Sequence, residues 1–357
     1  MQRKDIIRIC DRQVLDTACQ LFGTQKDALK VFASYEGCEN LVHEYERDGN
    51  PFILRISFRP DRTAGQIQAE LHFVNYLAEH GVRVSRPVPS RNGNLLETVQ
   101  AAGIPFHIAS FVKGKGMRVP DNGYRYREGA PIEEYFENWG QILGQMHALA
   151  KDYQPASDRV KRPVWSEIHK SRLMIETRVP DRLVVVRDRI QTLLKKVLSL
   201  PKDRDSYGLI HGDFNDGNFT VDTTNGDITA FDFDDCCYFW FVYELASAWE
   251  GGIGRVMFQG LEERKAFMDH YMEQVMAGYN RENSLRAEWL ARLPLFVRLI
   301  QVEEFLYFAQ YIEQADEEMQ AQLDYKIKCI EEDIPYMGFF ESIYSPERPF
   351  SLSSANR

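Results

Sequence analysis

Between His211 and Asp235 the chain runs HGDFNDGNFTVDTTNGDITAFDFDD, with seven aspartates and no lysine or arginine. Few folds can hold such a stretch. Its two strand-like segments, NFTVD and DITAFDF, are joined at Asn225-Gly226-Asp227, the signature of a two-residue hairpin turn. That hairpin predicts Asn218 folded back beside Asp232. Asp213 precedes Asn218 by five residues, so one loop and one hairpin can aim Asp213, Asn218 and Asp232 into a single pocket. Turns favour aspartate, which accounts for Asp216, Asp222 and Asp227. Asp232 and Asp234 are different, because they sit among strand-like aromatics where a carboxylate needs a partner.

At 357 residues the chain is long for one core, and two lobes are expected. The composition, 44% hydrophobic and 27% charged, is that of a globular protein. Its apolar runs, such as CCYFWFV at Cys236 to Val242, fall short of the roughly 20 residues a membrane span needs. The N-terminus MQRKDIIRICDRQ lacks the apolar core of a signal peptide, so a cytoplasmic location is the expectation. The six cysteines have no C-x-x-C spacing, which argues against a zinc site or a disulfide framework. A net charge of −10 disfavours nucleic acid and anionic lipid as partners, and oligomeric state is left open.

The first half reads as strands around one helix. Asp27 to Ser34 and Asn40 to Glu46 bracket a loop containing Gly37, and Asp48-Gly49 turns into the strand Pro51 to Ser57. A helix is predicted over Gly65 to His80 from the spacing of Ile67, Leu71, Val74 and Leu77. A hairpin at Arg91 to Asn94 leads to the strand Phe106 to Val112, and Lys113 to Gly116 reads as a hinge. The second half is mainly helical: Ile132 to Ala150 carries a wide apolar stripe, helix continues over Ser166 to Leu200, and Leu261 onward returns to helix with breaks at Pro294 and Pro335. Oxygen donors without histidine or thiolate suit a hard cation such as Mg²⁺, and a carboxylate left over as base fits phosphoryl transfer.

The motif H-G-D-x-x-x-x-N at His211, Gly212, Asp213 and Asn218, with Phe231-Asp232-Phe233 after it, resembles the aminoglycoside phosphotransferase and choline kinase-like family. Homoserine kinase-like and stress-response kinase-like branches share these features, and Gly140, Leu143 and His147 match a further family helix. The resemblance implies an α+β, two-lobed protein-kinase-like fold with a small β-rich N-lobe and a larger, mainly helical C-lobe. It divides the chain into a nucleotide-binding lobe over 1–112, with a helical extension at 1–26, a hinge at 113–116, a catalytic and substrate lobe over 117–345, and a loose tail at 346–357. It implies Asp213 as the base that receives the substrate hydroxyl proton, Asn218 and Asp232 as ligands of Mg²⁺, and ATP as phosphoryl donor.

The small lobe should then supply a cation for the nucleotide phosphates, and in FILRIS that residue is Arg55 where many kinases have lysine. Glu70 lies on the inward side of its helix, awkward for an unpaired carboxylate, so an Arg55 to Glu70 ion pair is expected. Gly37 and Asn40 are candidates to cover the phosphates, and the backbone from Ser110 to Val112 is the implied adenine contact. Asp234, Asp235, Glu244 and Glu250 either bind a cationic acceptor or cap and solvate the following helix, and Glu303 in VEEF carries the same two readings. Tyr238 and Trp240, in the aromatic run after the hairpin, are candidate acceptor contacts, although such rings are more often core. The acceptor implied is a small, amine-bearing alcohol. A protein serine/threonine kinase and a nucleotide-binding pseudoenzyme remain as alternatives.

Overall fold

The computed structural model describes residues 3–31, 40–170, 173–250 and 260–338. Two compact units emerge: the first holds Met1–Lys115, Tyr153–Arg162 and Thr229–Asp234, and the second holds Gly116–Asp152, Pro163–Ile228 and Asp235–Arg357. Among the described residues no helix is long and apolar enough to cross a membrane.

In the first unit α1 (Arg3–Gln13) and α2 (Leu15–Phe22) precede an antiparallel sheet of β1 (Lys30–Val31), β2 (Leu41–Arg47), β3 (Asn50–Ser57), β4 (Pro87–Val88), β5 (Glu97–Ala101) and β6 (Ile104–Val112). The order is β1-β2-β3-β6-β4, with β5 also on β6. Asp48 and Gly49 both adopt positive φ, 53° and 73°, as the tight β2–β3 turn requires. Around Arg91 to Asn94 the chain does turn, but β4 and β5 do not pair with each other. Both lie along one edge of β6, at Phe111–Ser110 and Ile108–Ile104, so the expected hairpin is instead the one between β5 and β6. Strand alternation gives β3 two faces: Phe52, Leu54 and Ile56 pack with Val14, Ala18 and Phe22 of the N-terminal helices. Ile53 joins Ile67 and Leu71 of α3 (Ala64–Glu79) on the other face, the side to which Arg55 belongs. α3 starts at a capping box in which Thr63 Oγ1 accepts from Gln66 N–H and Gln66 Oε1 accepts from Thr63 N–H.

The second unit is built on α4 (Ile132–Ala150), which has its predicted span. The helix Leu261–Glu282 crosses it at backbone contact. A Cβ on Gly140 would lie 1.8 Å from Val275 O, and one on Gly278 would lie 1.8 Å from Glu137 O, so glycine is the residue that lets these helices touch. The helix predicted over 166–200 is three pieces, α5 (Trp165–Ile168), α6 (Ile175–Arg178) and α7 (Val184–Leu198), and Pro180, which cannot continue a helix, separates the last two. Then follow β7 (Tyr207–Ile210), β8 (Phe219–Val221), β9 (Ile228–Ala230, whose last two residues belong to the first unit), β10 (Cys237–Trp240) and α8 (Val242–Glu250), with β10 antiparallel to β7. The connection after β8 is longer than a two-residue turn: Asp222 N–H bonds Asp227 O, and Asp222 Oδ1 accepts from Thr224 N–H and Oγ1. Pro294 sits in the first turn of the helix Leu293–Ala309, so it starts that helix rather than breaking it. The tail 346–357 lies outside the described residues.

The glycine crossing is testable. Gly140→Ala should destabilise the protein by at least about 1–3 kcal/mol, since backbone atoms rather than a flexible side chain occupy the space, and the urea midpoint should fall with the m-value unchanged.

Candidate active site

In the first unit Arg55 Nη1 and Nη2 donate to Glu70 Oε1 and Oε2 at 2.7 and 2.8 Å. Arg55 is 6% exposed and Glu70 1%, so the pair survives burial only because both ends of both groups are matched. The guanidinium also lies 5.0 Å from the centre of the Phe111 ring. Burial alone would weaken the Arg55 charge, but Glu70, then Asp234 and Asp232, more than offset it and hold its pKa above the ordinary guanidinium value. Asp232 has φ 62°, a left-handed conformation uncommon outside glycine, and its side chain is exposed.

Asp234, two residues on, does not present itself to a cationic acceptor. It is 7% exposed, Arg59 Nη1 donates to its Oδ2 at 2.8 Å, and its backbone carbonyl accepts from Arg162 Nη2 at 2.6 Å. Burial pushes its carboxyl pKa up, yet Arg55, Arg59, Arg62 and Arg162 together bring it down to about 2. Ser110 is buried in β6 with its hydroxyl bonded to Tyr45 Oη at 2.7 Å. Val112 N–H is already donated to Arg86 O at 2.9 Å. Asn40 is buried, and its Oδ1 has no hydrogen-bond partner among the described residues. Gly37 lies outside the described residues.

In the second unit the loop after β7 carries Asp213 with its side chain exposed. Asn215 Nδ2 donates to Asp213 Oδ1 and Asn218 Nδ2 donates to Oδ2, both at 2.9 Å, so the carboxylate is held at each oxygen. The surrounding protein desolvates Asp213 and raises its pKa; His211 opposes that shift, Asp235 adds to it, and the two amides oppose it. Gly212 has φ 88°, and a Cβ there would lie 2.3 Å from Asp235 O, so only glycine allows the loop this close to the segment after β9. Because Asn218 spends its amide nitrogen on Asp213, its amide oxygen is the end left for a cation.

The loop is pinned by Glu244 in α8, 1% exposed, whose Oε1 accepts from Gly212 N–H at 2.9 Å and whose Oε2 accepts from His211 N–H at 3.3 Å. His147 Nε2 lies 2.7 Å from Glu244 Oε2, and its Nδ1 lies 2.9 Å from Tyr279 Oη. Glu244 therefore neither meets an acceptor nor simply solvates a helix start. No local motif announces this role; the available signals were a glutamate inside an apolar helix and a histidine on the stripe of α4. Glu303 is similarly internal, accepting from Trp165 Nε1 at 3.2 Å and Tyr243 Oη at 2.9 Å. Trp240 is fully buried, with Nε1 donating to Pro201 O at 2.9 Å, so it is core rather than an acceptor contact. Tyr238 and Asp235 are half-buried.

A β-rich unit with a buried strand-to-helix ion pair and a helical unit with an H-G-D-x-x-x-x-N loop define a kinase-like phosphotransferase. The model of the APH phosphotransferase enzyme family matches residues 35–295. Amicoumacin kinase of Bacillus subtilis (strain 168) is 33% identical over 301 residues, 83% of this chain and 84% of that protein. Homoserine kinase of Rhizobium meliloti (strain 1021) is 25% identical over 295 residues, 77% of this chain and 81% of that one. A solved amicoumacin kinase, in complex with AMP-PNP, Ca²⁺ and Ami, superposes with a TM-score of 0.82 at 30% identity, covering 94% of this chain and 97% of that chain. The chain belongs to the phosphotransferase enzyme family, with its α+β protein-kinase-like fold; it is a small-molecule phosphotransferase, an ATP-dependent kinase with a hydroxyl acceptor.

The Glu244 anchor has a pH signature. Burial raises the Glu244 pKa, but His147 and the Gly212 N–H bring it below the ordinary 4.5. A depressed carboxyl pKa adds stability that is complete above the unfolded value and fades as pH falls through the folded one. Glu244→Gln should cost about 3–5 kcal/mol at pH 7, and the gap to the unsubstituted protein should close as pH drops below about 4.5 in denaturant titrations.

Proposed function

We propose that the protein transfers the γ-phosphoryl group of ATP, with Mg²⁺, to a hydroxyl of a small amine-bearing molecule, with Asp213 as the group that receives the hydroxyl proton. The observation that carries this reading is the Asp213 carboxylate itself, exposed, held at both oxygens by Asn215 and Asn218, and set on a loop pinned from beneath by Glu244. A rigid acceptor of that kind can fix the attacking oxygen, which is most of what phosphoryl transfer asks of a protein. The desolvation that raises the Asp213 pKa also makes it a stronger base than a free aspartate.

The donor chemistry fits a hard divalent cation. Mg²⁺ often takes only one or two protein oxygens and leaves the rest of its shell to nucleotide phosphates. Asn218 and Asp232 would supply one oxygen each, Asp232 from an exposed, left-handed position. Bound there, Mg²⁺ would neutralise charge on the nucleotide phosphate oxygens. Arg55 uses two of its five N–H donors on Glu70, and the others can face phosphate. Asn40 is the remaining described candidate for covering the phosphates. On the acceptor side Asp235 lies within electrostatic reach of Asp213 and is the acidic residue proposed to meet the amine, with Tyr238 beside it in sequence. The relatives put amicoumacin first among acceptors to try, with homoserine second.

The test is ADP release with Mg²⁺-ATP against amicoumacin, homoserine, amino alcohols, aminoglycosides and the same alcohols without the amine. Amine-bearing acceptors should be turned over, and Asp213→Asn should lower kcat by roughly 10²–10⁴ with whichever acceptor is best. Turnover by Asp213→Asn at the unsubstituted rate would defeat the assignment, and phosphorylation of protein in preference to every small molecule would replace the acceptor class.

A further inference from the structure

A strap of chain, Tyr153–Arg162, belongs to the first unit although the residues on either side of it belong to the second. Its ring contacts begin at Tyr153, whose ring lies 5.0 Å from Phe73 and 5.1 Å from Tyr76, both on α3. At Gly65 the fit is closer still, since a Cβ would lie 2.6 Å from Arg159 O, so the first turn of α3 has been left without a side chain where the strap passes. The strap ends at Arg162, 2% exposed. One end of its guanidinium donates to Gln66 O at 3.1 Å, and the other donates to Asp234 O at 2.6 Å.

Those two carbonyls are not arbitrary. Gln66 is one helical turn before Glu70, the partner of Arg55, and Asp234 is two residues after Asp232. The Asp234 carboxylate is meanwhile tied by Arg59, four residues beyond Arg55 on the same strand-to-helix connection. A planar fork with fixed N–H directions sets the separation of the carbonyls it joins, which a single ammonium point charge cannot do. Asp232 needs such a constraint, because a non-glycine residue at φ 62° keeps that conformation only where its surroundings over-determine it.

We infer that Arg162, acting through the Asp234 carbonyl, is a positioning residue for the nucleotide-bound metal: it clamps the turn carrying Asp232 to the helix carrying Glu70. This rests on the reading of Asp232 as a metal ligand. It also gives the second acid of F-D-F-D a task, since the Asp234 carboxylate and carbonyl anchor the turn from both sides. Residues that hold ligands in place commonly matter to metal affinity or activity by roughly 10–100-fold.

The experiment measures Mg²⁺ half-saturation, KM for ATP, KM for the acceptor and kcat on the full chain, together with the Mg²⁺ dependence of AMP-PNP binding by calorimetry. Arg162→Ala should raise the Mg²⁺ half-saturation by roughly tenfold or more and leave the acceptor KM within about twofold, with Arg162→Lys in between. Should Arg162→Ala not fold, Gly65→Ala displaces the strap with Arg162 intact, and it should shift the Mg²⁺ dependence in the same direction. Unchanged Mg²⁺ half-saturation in the soluble variants, with only a lower melting temperature, would overturn the inference. Asp232→Asn is the control: if it keeps the original metal dependence, the metal-ligand reading itself fails, and if it alone loses that dependence, the clamp fails while the reading stands.

Discussion

A guanidinium and a carboxylate shut away from water coexist when each neutralises the other at hydrogen-bond distance, and the Arg55–Glu70 pair is the constraint around which the first unit is arranged. It fixes which face of β3 looks toward α3, and hence leaves Phe52, Leu54 and Ile56 to pack on the N-terminal helices. It fixes the rotation of α3 about its axis. Its field also reaches the acidic turn, where Asp232 and Asp234 help keep Arg55 charged while Arg55 helps hold Asp234 ionised. Breaking it would leave one buried charge without its partner, a loss of about 3–5 kcal/mol.

The second unit applies the same physics to a different end. Glu244 is buried, and its two oxygens meet two backbone N–H groups and His147, so it works as an anchor. Asp213 is exposed and, among the described residues, its carboxylate oxygens accept from the side-chain amides of Asn215 and Asn218, one bond at each oxygen, which leaves lone pairs for a hydroxyl. The two carboxylates are drawn apart in pKa by their surroundings, the anchor downward and the exposed one upward. Separation of that kind is how one loop can be both rigid and basic.

Features set by neighbours in sequence were legible. The apolar spacing of α3 and α4 marked their spans to within a residue or so, and an inward-facing Glu70 together with the family resemblance pointed to the Arg55 pair. Features set by distant partners were not. Asp234 and Glu244 were left between binding an acceptor and capping a helix, because the counter-charge of the first, Arg59, lies 175 residues away and the partner of the second, His147, lies 97 residues away. The Arg91–Asn94 turn was read as a hairpin from its own residues, whereas the pairing was decided by β6, which offers one long edge to two short strands. Periodicity tells which face a residue occupies; it does not tell what meets it there.

The account divides labour between carboxylates, with Asp232 serving the metal-bound nucleotide and Asp213 serving the acceptor's proton. Calorimetric affinity for AMP-PNP with Mg²⁺, compared between the unsubstituted protein, Asp213→Asn and Asp232→Asn, tests that division most directly. Asp213→Asn should bind within about threefold of the unsubstituted protein, while Asp232→Asn should bind at least about tenfold more weakly, a difference of about 1.4 kcal/mol. Equal weakening in both variants, or none in Asp232→Asn, would contradict it.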